Sequence, residues 1–163
     1  MNFSDFKNEL SEFPWHDIVF VGLGNELRGD DGAGLYFIDL LQGQSGSAQS
    51  HFIKAGANPE NYLEQILACR SRAVVFIDAA RFGGQPGEVR WLEPSAIDTL
   101  RISTHAFSIK MVEAYLQANQ NLEYKYLGIE PRSTEFGKGL SCELKSALQR
   151  FFQQDDQVTP IPL

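Results

Sequence analysis

The chain alternates short apolar runs with segments of helical periodicity. Residues 17 to 24, DIVFVGLG, are apolar, partly β-branched and end on glycine, which predicts a buried strand. The pattern then predicts a helix with the body LYFIDLLQ, residues 35 to 42, closed by the loop QGQSGSAQS. HFIKAG, residues 51 to 56, reads as a second strand. Asn58 is the expected cap of a following helix with Leu63, Ile66 and Leu67 on one face. AVVFIDAA, residues 73 to 80, is the clearest buried strand, and Gly83, Gly84, Pro86 and Gly87 turn the chain toward EVRWLE, read as its antiparallel partner. Ser103 or Thr104 is expected to cap a helix carrying Phe107, Met111, Ala114 and Tyr115 at helical spacing. A strand at 124 to 129 and a helix over roughly residues 141 to 152 complete the pattern.

Strands alternating with helices, without internal repeats, define a three-layer α/β/α sandwich around a mostly parallel, mixed sheet of about five strands. A length of 163 residues fits one domain with a continuous core. Apolar residues at 43% and charged residues at 21% are ordinary for a globular chain. The first residues are polar and acidic, unlike a signal peptide, and no apolar run reaches the ~18 residues of a membrane span, so a cytoplasmic location is expected. A net charge of −7 repels phosphate backbones and anionic lipids, so neither nucleic acid nor membrane is an expected partner. Cys69 and Cys142, far apart and outside any CxxC or Cys/His grouping, read as reduced, packed thiols.

In open α/β sheets, chemistry collects at the carboxyl ends of strands. GLGNELRGDDGAG, residues 22 to 34, sits at one such end with five glycines and two adjacent aspartates. As a dinucleotide fingerprint it is poor: Leu27 stands where the third glycine belongs, and Asp30 and Asp31 would oppose a pyrophosphate. The plain structural alternative has Asp30 capping the helix and Asp31 complementing its dipole. Asp78 ends the strand FID, where it either projects from the sheet or bonds loop amides. His105 begins a helix, where the dipole disfavours an imidazolium and a neutral ring is expected. Two carboxylates and a neutral imidazole suit a divalent transition metal. His16 and His51 lack comparable settings.

These residues fall into a known pattern: the chain resembles the hydrogenase maturation proteases. The element GxGNxLxxDDGxG is carried by Gly22, Gly24, Asn25, Leu27, Asp30, Asp31, Gly32 and Gly34. It is followed in order by AGANPEN at 55 to 61, FIDAA at 76 to 80, PGEV at 86 to 89, STHAF at 103 to 107, and LGIEP then GLS between 127 and 141. The resemblance implies an endopeptidase that removes the C-terminal extension of a nickel-loaded [NiFe]-hydrogenase large-subunit precursor. It assigns metal contact and catalysis to Asp31, Asp78 and His105. The first is often glutamate in this family, so Asp31 reaches one methylene less far. Nickel is expected to arrive with the substrate, with another divalent metal able to substitute, and Asp30 to cap or support.

The glycines of the first element are expected to keep the strand-to-helix turn narrow enough for the substrate's metal region to approach. Substrate contact is expected from Gly24, Asn25, Lys54, Ala55, Gly56 and Ala57. Family members commonly have an acidic residue and two glycines where this chain has Lys54, Ala55 and Gly56, so Lys54 is expected to help select the cognate hydrogenase. No serine or cysteine nucleophile is evident. The resemblance leaves out an N-terminal extension, residues 1 to 16, and a tail, residues 153 to 163, of the single domain. In the extension, Phe3, Phe6, Leu10 and Phe13 form the apolar face of a short helix that either packs on the domain or touches substrate. The expected state is a monomer.

Overall fold

The computed structural model describes residues 1–44, 49–98 and 105–153. Strands β1 (Ile18–Leu23), β2 (His51–Gly56), β3 (Ala73–Ala79), β4 (Val89–Leu92) and β5 (Glu123–Ile129) form one sheet in the order β2-β1-β3-β5-β4. The first four positions in that order run parallel, and β4 closes the edge antiparallel to β5. Every residue of β1 and β3 is buried, as central strands covered on both faces require.

The period of two along these strands sends side chains to two separate cores. Ile18, Phe20, Val75 and Ile77 face helices α1 (Phe3–Glu9), α2 (Ala33–Gln42) and α6 (Cys142–Gln153). Val19, Val21, Val74 and Phe76 face α3 (Leu63–Ala68), α4 (Pro94–Asp98) and α5 (Ala106–Asn119). The three layers expected from the sequence are therefore present. Helix α6 shows how the pattern works: Leu144, Leu148, Phe151 and Phe152 recur on one side and are buried, while the rest of the helix is polar.

Two local expectations are corrected, and one choice that the pattern left open is decided. EVRWLE does not pair with the strand before it, because residues 80–88 cross the end of β5 and deliver β4 to that strand's far side. The buried Glu130 carboxylate organises this crossing by accepting hydrogen bonds from the amides of Phe82 (2.8 Å) and Gly84 (3.1 Å). Asn58 makes no side-chain cap; it precedes a 3₁₀ turn, Pro59–Tyr62, and its amide bonds Glu60 instead. In α5 the buried face is Ala106, Ile109, Val112 and Leu116, whereas Phe107, Met111 and Tyr115 are 73%, 57% and 41% exposed. Both stripes have helical spacing, so periodicity alone could not tell which one meets the sheet. The expected cap at Ser103 or Thr104 lies outside the described residues.

The N-terminal helix belongs to the core. Asn2 and Asp5 form a reciprocal capping box, with bonds of 2.9 and 3.0 Å, that fixes its start. Phe6 is fully buried, stacked on Trp91 at 5.4 Å and edge-on to Phe37 and Phe151. Phe6→Ala is expected to cost about 3–5 kcal/mol of unfolding free energy by urea denaturation, and a loss below about 1 kcal/mol would place the helix outside the core.

Candidate functional site at the carboxyl edge of β1 and β3

The chain leaves β1 toward β2 on one side and returns to β3 on the other. Their carboxyl ends thus flank the point where the winding direction changes, the usual site of a ligand crevice in such sheets. Three acidic or imidazole side chains arrive there from different elements. Asp31 comes from a 3₁₀ turn, Gly29–Gly32, that follows β1; Asp78 is the sixth residue of β3; and His105 is the N-cap residue of α5. All three are buried.

Glycines allow this approach, in a way that differs from the expectation. A Cβ on Gly24, whose φ is +133°, would lie 1.9 Å from the Asp31 carbonyl oxygen. One on Gly34 would lie 2.2 Å from the Ile77 carbonyl oxygen and 2.5 Å from that of Leu23. The space given up by these side chains is filled by the protein's own backbone. It lets the turn and the start of α2 press against β1 and β3, which carries Asp31 toward Asp78.

The central contact joins His105 to Asp78: the ring Nδ1 lies 3.1 and 3.2 Å from the two carboxylate oxygens. A carboxylate only accepts, so Nδ1–H donates, and Nε2 is left to carry the lone pair of the neutral ring. Burial works to lower the His105 pKa, but the Asp78 hydrogen bond and the negative charges of Asp78, Asp31 and Glu60 outweigh it, and the net shift is upward. The helix start alone predicted a neutral ring; three acids around it shift the balance toward its protonated form. Asp31 is held by the Asn25 amide, which donates to its Oδ2 at 3.0 Å. Among the described residues, no group of three His, Cys, Asp or Glu side chains forms a complete metal-holding cluster as it stands.

Asp30 does not cap α2, whose N-cap is Gly32 with no side-chain bond. Its carboxylate instead accepts from the amides of Arg132 (2.8 Å) and Ser141 (2.6 Å) and from the Ser141 hydroxyl (2.8 Å). That hydroxyl in turn accepts from the Leu144 amide at 3.3 Å, as a helix cap for α6. One buried carboxylate thereby ties the turn carrying Asp31 to the segment between β5 and α6. Sequence reasoning gave Asp30 a general supporting role but missed Glu130 and Ser141. The available signals were an acid directly after an apolar strand and a serine directly before a helix.

The other expected contact residues line the same region unequally. Asn25 is half-buried, and its side-chain oxygen accepts from the Leu27 amide at 2.9 Å. Gly56 accepts a bond from the Gly24 amide at 3.1 Å, Ala55 is buried in the core, and Ala57 is exposed. Lys54 extends toward α2 and places its ammonium 3.0 Å from both Asp39 oxygens, so its charge is answered within the chain. Cys69 and Cys142 are both free; Cys69 is half-buried, with its thiol pKa raised by burial, but Cys142 is exposed rather than packed. His16 and His51 lie before or at the start of strands, at the opposite edge of the sheet. No helix among the described residues is long and apolar enough to cross a membrane.

An α/β sandwich with a buried acid–imidazole pair at its switch point defines the class of protein, and comparison with known proteins gives the family. The family model HycI, hydrogenase maturation protease, matches residues 36–155, an interval that includes Asp78 and His105 and begins just after Asp31. The hydrogenase 3 maturation protease of Escherichia coli K12 is 29% identical over 140 residues, covering 83% of this chain and 86% of its own. A putative hydrogenase maturation protease of Methanocaldococcus jannaschii is 29% identical over 126 residues, covering 73% and 75%. Among solved structures, the [NiFe] hydrogenase maturation protease HycI of Thermococcus kodakarensis superposes with a TM-score of 0.75 at 29% identity, covering 90% of this chain and 92% of that one. The chain belongs to the hydrogenase maturation protease family. These relatives do not favour a dinucleotide-binding protein, nor the other reading that the motifs leave open, an interaction module that inspects a metal centre without cutting.

The raised His105 pKa has a definite consequence for stability. A group whose folded pKa lies above its unfolded value stabilises fully below the unfolded value, near 6.5, and that contribution is lost as pH rises through the folded value. The stability difference between the protein and its His105→Gln variant, measured by urea unfolding, is therefore expected to shrink as pH rises above the ordinary histidine value of about 6.5. A difference that grows with pH would contradict the assigned direction.

Proposed function

We propose that this protein is an endopeptidase that removes the C-terminal extension from a nickel-loaded [NiFe]-hydrogenase large-subunit precursor. The observation that carries the proposal is the meeting of Asp78 with His105 at the crevice, with the Asp31 charge acting on the same ring. Family membership supplies the reaction class, and the site supplies a reason for dependence on a cation brought by the substrate.

Three negatively influenced or electron-pair-bearing groups in a buried setting gain most from a divalent cation, and a precursor that lacks one meets two carboxylates with nothing to offset them. Binding thus discriminates between loaded and empty precursor by charge. Asp78 meets the imidazole at Nδ1, so a cation held jointly by these two side chains would take the place of the Nδ1 proton between them, with Asp31 as a further oxygen donor of matching chemistry. The same carboxylates are placed to take a proton from water attacking the scissile carbonyl next to the metal region. Asp30 and Glu130 take no part in that transfer; they hold the loops that bear on the crevice.

The test is to mix the protein with metal-loaded and metal-free precursor and follow the mass of the large subunit. Trimming is expected of the loaded form only. Asp31→Asn, Asp78→Asn and His105→Ala are each expected to slow it by about 100-fold or more. Normal processing by all three variants would overturn the site assignment.

A further inference from the structure

Helix α5 is apolar on two opposite sides. Ala106, Ile109, Val112 and Leu116 close the core, and the opposite face presents Phe107, Met111, Ala114, Tyr115 and Ala118 to solvent. The charged residues of the helix, Lys110 and Glu113, pair with each other at 3.5 Å between these faces. A helix with apolar stripes on both sides is ordinarily buried on both. The exposed stripe is ordered as well as apolar: the Tyr115 hydroxyl donates to Glu64 of α3 at 2.9 Å, which holds its ring in place on the surface.

Where the stripe begins decides what can cover it. Phe107 lies two residues beyond His105, the N-cap of the same helix, so the apolar face runs directly away from the Asp78–His105 pair. At 14 residues the helix extends about 21 Å, and any large body seated along it rests beside the end of the helix that bears His105. The segment that leads into the Asp31 turn shows a similar arrangement. Leu27, four residues before Asp31, is 63% exposed, and the Gly137 amide donates to its carbonyl at 2.7 Å, which joins it to the loop bearing Phe136, 73% exposed. Of the large apolar side chains exposed among the described residues, all but Met1 thus lie on these two segments. A second copy of the chain on α5 would obstruct entry of a macromolecular substrate, whereas the substrate itself must stand there.

We infer that the Phe107–Met111–Tyr115 face of α5 is the docking surface for an apolar patch on the folded body of the large-subunit precursor, separate from the peptide that is cut. This rests on the function proposed above, and it places binding energy away from the reacting groups. Uncharged aromatic and methionine side chains beside a charged centre match the composition of protein interfaces, where a few such anchors carry most of the affinity. The charged crevice then reports on the metal while α5 holds the protein that bears it.

The experiment uses the full chain and the metal-loaded precursor. The double variant Phe107→Gln/Met111→Gln keeps good helix formers, and Gln117→Glu, exposed on the same helix but off the stripe, is the control. Circular dichroism and thermal midpoints establish that each remains folded. Affinity for immobilised precursor and trimming kinetics are then measured separately. The double variant is expected to bind about tenfold or more weakly, with KM raised and kcat little changed, and the control to match the parent. Unchanged affinity in the double variant overturns the inference, as does a parent protein that fails to bind precursor at all. A parent that dimerises through this face, with the variant monomeric, also overturns it and assigns the stripe to a second copy. Failure of the parent to trim precursor that it binds would instead count against the proposed function, so the two readings fail by different signs.

Discussion

The site depends on one buried contact, the hydrogen-bonded pair of Asp78 and His105, formed where the sheet changes its winding direction. A carboxylate at 4% exposure and an imidazole at 8% are costly to desolvate separately, and each offsets the other's cost only when their atoms meet. β3 and α5 must therefore be placed to within a fraction of an ångström, although 27 residues separate the two side chains. The second negative charge, Asp31, would oppose burial of the first. The imidazole, whose pKa both charges raise, makes the arrangement tolerable.

The rest of the carboxyl edge is built to hold that geometry. Missing side chains at Gly24 and Gly34 let backbone pack on backbone, which seats the Asp31 turn and the start of α2 against β1 and β3. Asp30 gathers three donors from the segment before α6, and Glu130 gathers two amides from the crossing that precedes β4. Buried carboxylates that accept several hydrogen bonds fix loops more rigidly than apolar contacts can, since each bond has a direction. The two aspartates side by side in one motif thus divide the labour: Asp31 acts on the His105 ring by its charge and Asp30 secures the frame.

Much of this was legible in the sequence because it is local. The five strands are short runs of apolar and β-branched residues bounded by glycine or polar clusters, and each was placed to within a residue or two of its observed span. Asp31, Asp78 and His105 stood at element boundaries, where the fold class already directed attention. What the sequence withheld was nonlocal. The pairing of β4 with β5 rather than β3 depends on a loop held by Glu130, and nothing near either strand announces it. Which face of α5 meets the sheet could not be read because both faces are apolar, so only the packing of α5 on the sheet and α3 could decide. The upward shift of the His105 pKa came from neighbours brought in by three other elements, which the helix-end argument could not include.

The most direct measurement is a pH titration of the His105 ring by nuclear magnetic resonance, in the protein and in its Asp78→Asn variant. The account requires the ring to titrate above the ordinary histidine value of about 6.5 in the parent and to fall when the Asp78 charge is removed. A ring that titrates at or below that value, or that ignores the loss of Asp78, would mean that the pair on which the site is built does not form.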